Sequence, residues 1–355
     1  MSLFNFYPGP SKIYPQVGTI YQEAIASGVF EYNHRSPQFA KLFDFTLAQL
    51  RNKLAIPADY DICFVSSATE SWQVILQSFV KHNSFHLYNG AFGEKWKSVA
   101  LSLGLQSTGF DFGCETEIDV DALRLPGNTE LIAVTQNETS NGTAISNATL
   151  KQLRQKYNDE LIAVDATSSM AGVILDWENA DIWFSSVQKC FGLSAGMCVM
   201  ITSPKAVDRA KQINNQQYYN SFVSMLKNSE KSQTTHTPAI PQIYLLGKVL
   251  EQQQDIVKVD QMITDRARLF YTFCKQLSGL QVYVKNKAAL SSTVICLSGD
   301  ESIITLLKEK ALSENILLGS GYGDLKKNTV RIANFPAIPD EDFKTLKNFL
   351  TNFDK

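Results

Sequence analysis

Six short apolar runs, at residues 62–65, 85–88, 131–135, 161–164, 182–185 and 197–201, constrain the fold more than any other feature of the sequence. A strand with one wet face alternates apolar and polar side chains, because successive residues point to opposite sides of the sheet. Most of these runs do not alternate. Both of their faces must then be covered, as in a parallel sheet with helices on either side. The sequence between them supplies covers at 70–81, 94–103 and 148–157, where apolar residues recur at helical spacing. Strands alternating with helices give an α/β fold whose central sheet is mostly parallel and wrapped by helices.

The runs at 182–185 and 197–201 are joined by a Gly-containing turn with little room for a helix, so one edge of the sheet is expected to be antiparallel. Towards the N-terminus, 13–27 carries helical spacing, and Ser36-Pro37 reads as an N-cap and first-turn pair opening the next helix. Past Pro241 the pattern changes. A long polar-faced helix over 243–277 leads into strands at 280–284 and 293–297, a helix at 302–312, a Gly-rich loop, a strand at 330–333 and a last helix at 340–353. That is a smaller α+β lobe of about 100 residues. The expected division is a large domain over 14–250 and a small one combining 1–13 with 251–355.

Charge narrows the function. With 33 Lys+Arg against 35 Asp+Glu, no basic excess favours nucleic acid or an anionic membrane. No apolar run approaches the roughly 18 residues of a membrane span, and the N-terminus lacks a basic stretch leading into an apolar one. The chain reads as cytoplasmic, and the Asn-x-Ser/Thr triplets at Asn137, Asn141 and Asn147 then have no glycosylation role. The six cysteines form no CxxC pair or other zinc spacing, so buried free thiols are expected and no metal site.

Ligands of open α/β sheets gather where strands end. After 62–65 comes Ser66-Ser67-Ala68-Thr69-Glu70-Ser71, small residues entering a helix, where backbone N–H groups and the helix dipole can cradle an anion. A Ser N-cap with no ligand uses the same residues. Asp165 ends the 161–164 run, and Lys189 stands 24 positions further on, just past the next strand. A buried ion pair would account for both. The sharper reading is pyridoxal phosphate, whose aldehyde forms a Schiff base with a lysine and whose ring nitrogen is held protonated by a carboxylate. Thr139, after 131–135, offers a hydroxyl, and Phe92, after 85–88, a ring that can stack on a flat cofactor. Four strand ends and a cradle that together meet one cofactor's needs favour the sharper reading.

These residues belong to an ordered set. Asn5-Phe6-Tyr7-Pro8-Gly9-Pro10-Ser11, Asn33-His34-Arg35-Ser36, Asn137-Glu138-Thr139-Ser140-Asn141-Gly142, Val164-Asp165-Ala166-Thr167-Ser168-Ser169 and Ser185-Ser186-Val187-Gln188-Lys189 resemble, in order, the landmarks of phosphoserine aminotransferases. Those are class V members of the fold-type I pyridoxal-phosphate enzymes, and the resemblance covers essentially the whole chain. It implies that Lys189 is the Schiff-base lysine, Asp165 the partner of the pyridine nitrogen, Phe92 the stacking ring and Thr139 a neighbour of the phenolic oxygen. It further implies that Ala68, Thr69 and Gln188 hold the cofactor phosphate, with His236 and Thr237, in a segment resembling the family's Asn-Thr-Pro, reaching that phosphate across a homodimer. Arg331 matches the arginine that clamps the substrate α-carboxylate, a task suited to a bidentate guanidinium. His34 and Arg35 match a pair that the neighbouring subunit contributes to the distal phosphate or carboxylate of the substrate. The family's His-Arg before a Val-Gly-Gly turn is replaced by Gly319-Ser-Gly-Tyr-Gly-Asp-Leu-Lys-Lys-Asn-Thr, leaving open whether Lys326 or Lys327 takes that contact.

The resemblance implies ping-pong transamination between glutamate and 3-phosphohydroxypyruvate on the route to serine. Alanine–glyoxylate or serine–pyruvate aminotransferase activity is the alternative within class V, since Asn89-Gly90-Ala91-Phe92-Gly93-Glu94 also fits that pattern. From another class, Gly192-Leu193-Ser194-Ala195-Gly196 matches the GxSxG elbow of serine hydrolases, which requires a strand before it and a helix after it. The β-rich Met197-Cys198-Val199-Met200-Ile201 that follows speaks against it. A binding protein that has kept the fold without catalysis is the last rival.

Overall fold

The computed structural model describes residues 3–354, so residues 1, 2 and 355 of the expected small domain lie outside the described residues. In chain order the strands are β1 (Phe4–Phe6), β2 (Asp61–Val65), β3 (Asn83–Tyr88), β4 (Gln106–Asp111), β5 (Leu131–Thr135), β6 (Asn137–Glu138) and β7 (Thr143–Ala144). They continue with β8 (Leu161–Asp165), β9 (Ile182–Ser186), β10 (Cys198–Thr202), β11 (Gln281–Val282), β12 (Val294–Ser298), β13 (Ile316–Ser320) and β14 (Thr329–Ala333). Seven form the central sheet in the order β2-β10-β9-β8-β5-β3-β4. The chain is thus an α/β protein with a mostly parallel central sheet, as the apolar runs predict.

The sheet's alternate residues feed two separate cores. Ile132, Val134, Ile162, Val164 and Trp183 pack on one face, while Leu131, Ala133, Leu161, Ala163 and Phe184 pack on the other under the helix Ala68–Phe79. That two-sided burial explains why these strands do not alternate.

Two expectations need correction, and one edge strand has no counterpart among them. The antiparallel strand is β10, and it lies inside the sheet between β9 and β2, not at an edge. Residues 187–197 between β9 and β10 form no crossover helix, so the chain returns antiparallel, and β2 then pairs on the far side of β10. The opposite edge is β4, whose residues are mostly exposed; Gln106-Ser-Thr-Gly-Phe-Asp111 shows no apolar run to betray it. The helix expected over 243–277 is two helices, Ile240–Gln252 and Ile256–Cys274. Between them Glu251-Gln252-Gln253-Gln254-Asp255 offers no apolar side chain to the core, Gln253 turns extended, and Asp255 occupies the N-cap of the second helix.

A second sheet has the order β1-β13-β14-β12-β11. Its β1 pairs in parallel with β13, bringing Phe4–Phe6 onto the C-terminal strands. The strand β13 begins the stretch read from sequence as a Gly-rich loop. No helix among the described residues is long and apolar enough to cross a membrane.

Candidate active site

The carboxyl ends of β5, β8 and β9 open into a cavity of about 610 Å³, which Pro8–Pro10 and the loop after β13 also line. Ser67 is the N-cap of the helix Ala68–Phe79: its Oγ accepts from Glu70 N–H at 3.1 Å, and Glu70 accepts in turn from Ser66 N–H at 2.8 Å. Ser67, Ala68 and Thr69 line the cavity. Ala68 N–H donates to Ser186 Oγ at 2.8 Å, tying this helix start to the end of β9.

Lys189 is buried, and its Nζ donates to Thr139 Oγ1 at 2.9 Å and Ser168 Oγ at 2.8 Å. Burial lowers its pKa to about 8, although the carboxylates of Asp165 and Glu138 oppose that shift. Asp165 ends β8 and is also buried. Its Oδ2 accepts from Trp72 Nε1 at 3.0 Å and its Oδ1 from Thr167 N–H at 2.9 Å. Desolvation raises its pKa, while these donors and Lys189 pull it back. No contact within 4.0 Å joins the Asp165 carboxylate to the Lys189 ammonium, so the ion-pair explanation of these two residues fails. Gly9, at φ 148°, lets the N-terminal segment lie against the lysine stem, since a Cβ there would come 3.0 Å from Lys189 Cε.

Phe92 sits in the first turn of the helix Ala91–Ser102, with its ring centroid 5.4 Å from Lys189 Nζ. That turn is anchored by Glu138, whose Oε2 accepts from Phe92 and Gly93 N–H at 3.1 and 3.3 Å. The approach is close enough that a Cβ on Gly90 would fall 2.5 Å from Glu138 Cγ. Arg331 enters from β14 and is buried; its guanidinium donates to Ser320 O at 2.8 Å and Thr139 O at 2.9 Å. Gln188 also lines the cavity.

Four predicted residues lie elsewhere. His34, Arg35, His236 and Thr237 form a surface cluster outside the cavity lining, where His34 Nδ1 meets Thr237 Oγ1 at 3.3 Å and Arg35 donates to Gln233 Oε1 at 2.9 Å. Lys326 lines the cavity, whereas Lys327 turns out to pair with Glu301 at 3.3 Å. Ser194 is exposed in a loop that leads straight into β10, and its Oγ accepts from Gln242 at 2.9 Å. With a strand where the elbow needs a helix, the hydrolase reading fails.

Sequence reading passed over Trp72, Ser168 and Tyr322. Ser168 stands three residues after Asp165 in the same turn, and Trp72 one helical turn after Ala68, spacings that could have placed both beside the site. Tyr322, in the departing Gly-rich segment, packs its ring 5.1 Å from that of Phe92.

The cavity accepts pyridoxal phosphate on chemical grounds. Thr135 Oγ1 and Asn137 Nδ2 are buried around it without a partner among the described residues, groups that a polar ligand would satisfy. A lysine, a carboxylate, an aromatic ring and a helix N-terminus complete the set. Comparison with known proteins agrees. The phosphoserine aminotransferase of Corynebacterium glutamicum (strain R) is 29% identical over 353 residues, 96% of this chain and 92% of that protein. The crystal structure of a phosphoserine aminotransferase from Cytophaga hutchinsonii ATCC 33406 matches with a TM-score of 0.93 at 30% identity, covering 99% of each chain. An alanine–glyoxylate aminotransferase from Nostoc sp. shares the fold, with a TM-score of 0.85 at 19% identity over 100% of this chain and 96% of that one. The profile of the family "Aminotransferase class-V" matches residues 3–322, and this chain belongs to that family of pyridoxal-phosphate enzymes acting on small amino and keto acids.

Proposed function

We propose that this class V aminotransferase moves the amino group of L-glutamate to 3-phosphohydroxypyruvate, giving O-phospho-L-serine and 2-oxoglutarate by a ping-pong route in the cytoplasm. The observation that carries the reading is that one cavity gathers Lys189, Asp165, Phe92, Thr139 and Arg331 around the Ser67-Ala68-Thr69 turn. The phosphoserine aminotransferases among its relatives support the substrate choice.

When bound, pyridoxal phosphate supplies an aldehyde for the lysine and a ring that withdraws electrons from the substrate Cα. The residues would hold it as follows: Ala68, Thr69 and Gln188 at the phosphate, Asp165 at the ring nitrogen, Phe92 on the ring face and Thr139 near the phenolic oxygen. Lys189 then acts as the proton carrier. A pKa near 8 leaves an appreciable neutral fraction at physiological pH, and the Thr139 and Ser168 hydroxyls keep the amine in place to accept the Cα proton. Arg331 orients the substrate by exchanging its two carbonyl contacts for the α-carboxylate, a stronger charged pair. The lobe formed by 1–13 and 251–355 would carry Arg331 over the 14–250 domain. His34, Arg35, His236 and Thr237, which lie outside their own chain's cavity, would serve the site of a second copy in a homodimer. A half-reaction screen tests the substrate reading: phosphoserine and glutamate should each bleach the visible band of the loaded enzyme much faster than serine or alanine. Faster bleaching by alanine would assign the chain to the alanine–glyoxylate type.

A further inference from the structure

The indole of Trp72 has no part in the scheme above. Its ring is buried one turn into the helix that begins with the Ala68-Thr69 cradle, and its Nε1 donates to Asp165 Oδ2 at 3.0 Å. The chain has four tryptophans. Trp177 donates to the Leu54 carbonyl at 3.0 Å, Trp183 to the Trp177 carbonyl at 3.1 Å, and Trp96 Nε1 has no partner in the protein. Among the described residues, Trp72 is thus the one tryptophan whose N–H meets an ionisable side chain.

We infer that Trp72 is a positioning residue for Asp165, fixing the carboxylate's orientation and its register against the cradle, and so setting how tightly the protein holds the nitrogen end of the cofactor ring. The inference rests on the reading of Asp165 as the ring-nitrogen partner. An indole N–H is a donor only, so the contact favours Asp165 as a charged acceptor. Because cradle and donor share one helix, the spacing between the phosphate-binding N–H groups and the carboxylate is built into a rigid element. The indole is itself clamped: it stacks on Trp96 at 6.3 Å and 14°, and Trp96 is wedged edge-on against Phe184 at 5.2 Å and His86 at 5.7 Å. Core filling alone would be met by phenylalanine and gives no reason for an N–H aimed at the carboxylate.

Trp72→Phe keeps a ring against Trp96 and removes the donor. Cofactor-free protein would be titrated with pyridoxal phosphate and with its analogue carrying carbon in place of the ring nitrogen, followed by protein fluorescence. The expected result is about a 10-fold loss of affinity for pyridoxal phosphate, less than twofold for the analogue, and no further loss when Trp72→Phe is added to Asp165→Asn. Equal losses for both ligands, or a loss that persists beside Asp165→Asn, would mean a packing role and overturn the inference. If Asp165→Asn alone fails to separate the two ligands, the reading of Asp165 falls and takes the inference with it. Independently of how Trp72→Phe folds, 15N-indole spectra of cofactor-free wild type and Asp165→Asn should differ at one of the four tryptophan resonances, and four unmoved resonances would also overturn it.

Discussion

The cavity wall and the surface around Arg35 both carry arginine, lysine or histidine beside hydroxyls, yet they hold them on opposite terms. In the wall, Arg331 and Lys189 are buried, and each makes two hydrogen bonds to groups of the same chain. On the surface, Arg35 and Thr237 are exposed and His34 half-buried, their side chains held by single contacts. Desolvation strengthens every interaction in the first region and water screens the second. The wall is therefore held in place by its own chain, while the outer cluster is left open to solvent or to a covering surface. Substitutions in the two regions should differ in size and in substrate dependence.

The largest effect belongs to the wall. Lys189→Ala is expected to lower turnover at least about 1,000-fold with every amino donor, because it removes the amine proposed to carry the Cα proton. Appreciable transamination by this variant would break the assignment. The same residue leaves a trace in stability. Its folded pKa of about 8 lies below the ordinary lysine value of 10.5, so between those pH values the unfolded chain binds more protons at this residue and its contribution to stability rises with pH, against the fall that the raised thiols of Cys63 and Cys296 bring above their ordinary value of 9. In cofactor-free protein that contribution is at most about 1.4 kcal/mol per pH unit, and it should appear as the difference between wild type and Lys189→Ala in urea titrations across this range.

Arg331→Lys is expected next, with kcat/KM down about 100-fold for phosphoserine and alanine alike, since both carry the α-carboxylate and an ammonium cannot supply two parallel N–H bonds. Arg35→Ala should instead be selective: roughly 10-fold on phosphoserine and far less on alanine, measured as kcat/KM at low salt. Equal losses on the two substrates would erase the distinction between the regions and point to another class V substrate.

The wall was the more legible region, for a physical reason. Asp165 and Lys189 stand where apolar runs end, and two-sided burial makes such runs visible in sequence. Trp72 was hidden because an aromatic residue at helical spacing reads as core, which most of its surface is; only the N–H points elsewhere. The edge strand β4 was invisible because Gln106–Asp111 buries almost nothing and so leaves no apolar pattern. The break at Gln253–Asp255 escaped because the flanking helices keep one polar face. For the outer cluster the sequence names the residues without their place: His34 and Arg35 lie about 200 positions from Gln233 and Thr237, and only the folded chain brings them together.

The smallest effect separates two adjacent lysines that sequence leaves equivalent. Both are exposed, but Lys326 lines the cavity and its backbone carbonyl accepts from Lys308, whereas the Lys327 ammonium pairs with Glu301. If the substrate carries a distal anion, as proposed, Lys326 lines the cavity where it could meet that anion, supplementing the cluster that a second copy would bring. An exposed lysine gains only modest Coulomb energy from such an ion. Lys326→Ala should therefore lower kcat/KM for phosphoserine about fivefold and for alanine less than twofold, with Lys327→Ala changing neither. Equal effects on both substrates would mean that Lys326 merely shapes the loop, and the distal anion would then depend on the outer cluster alone.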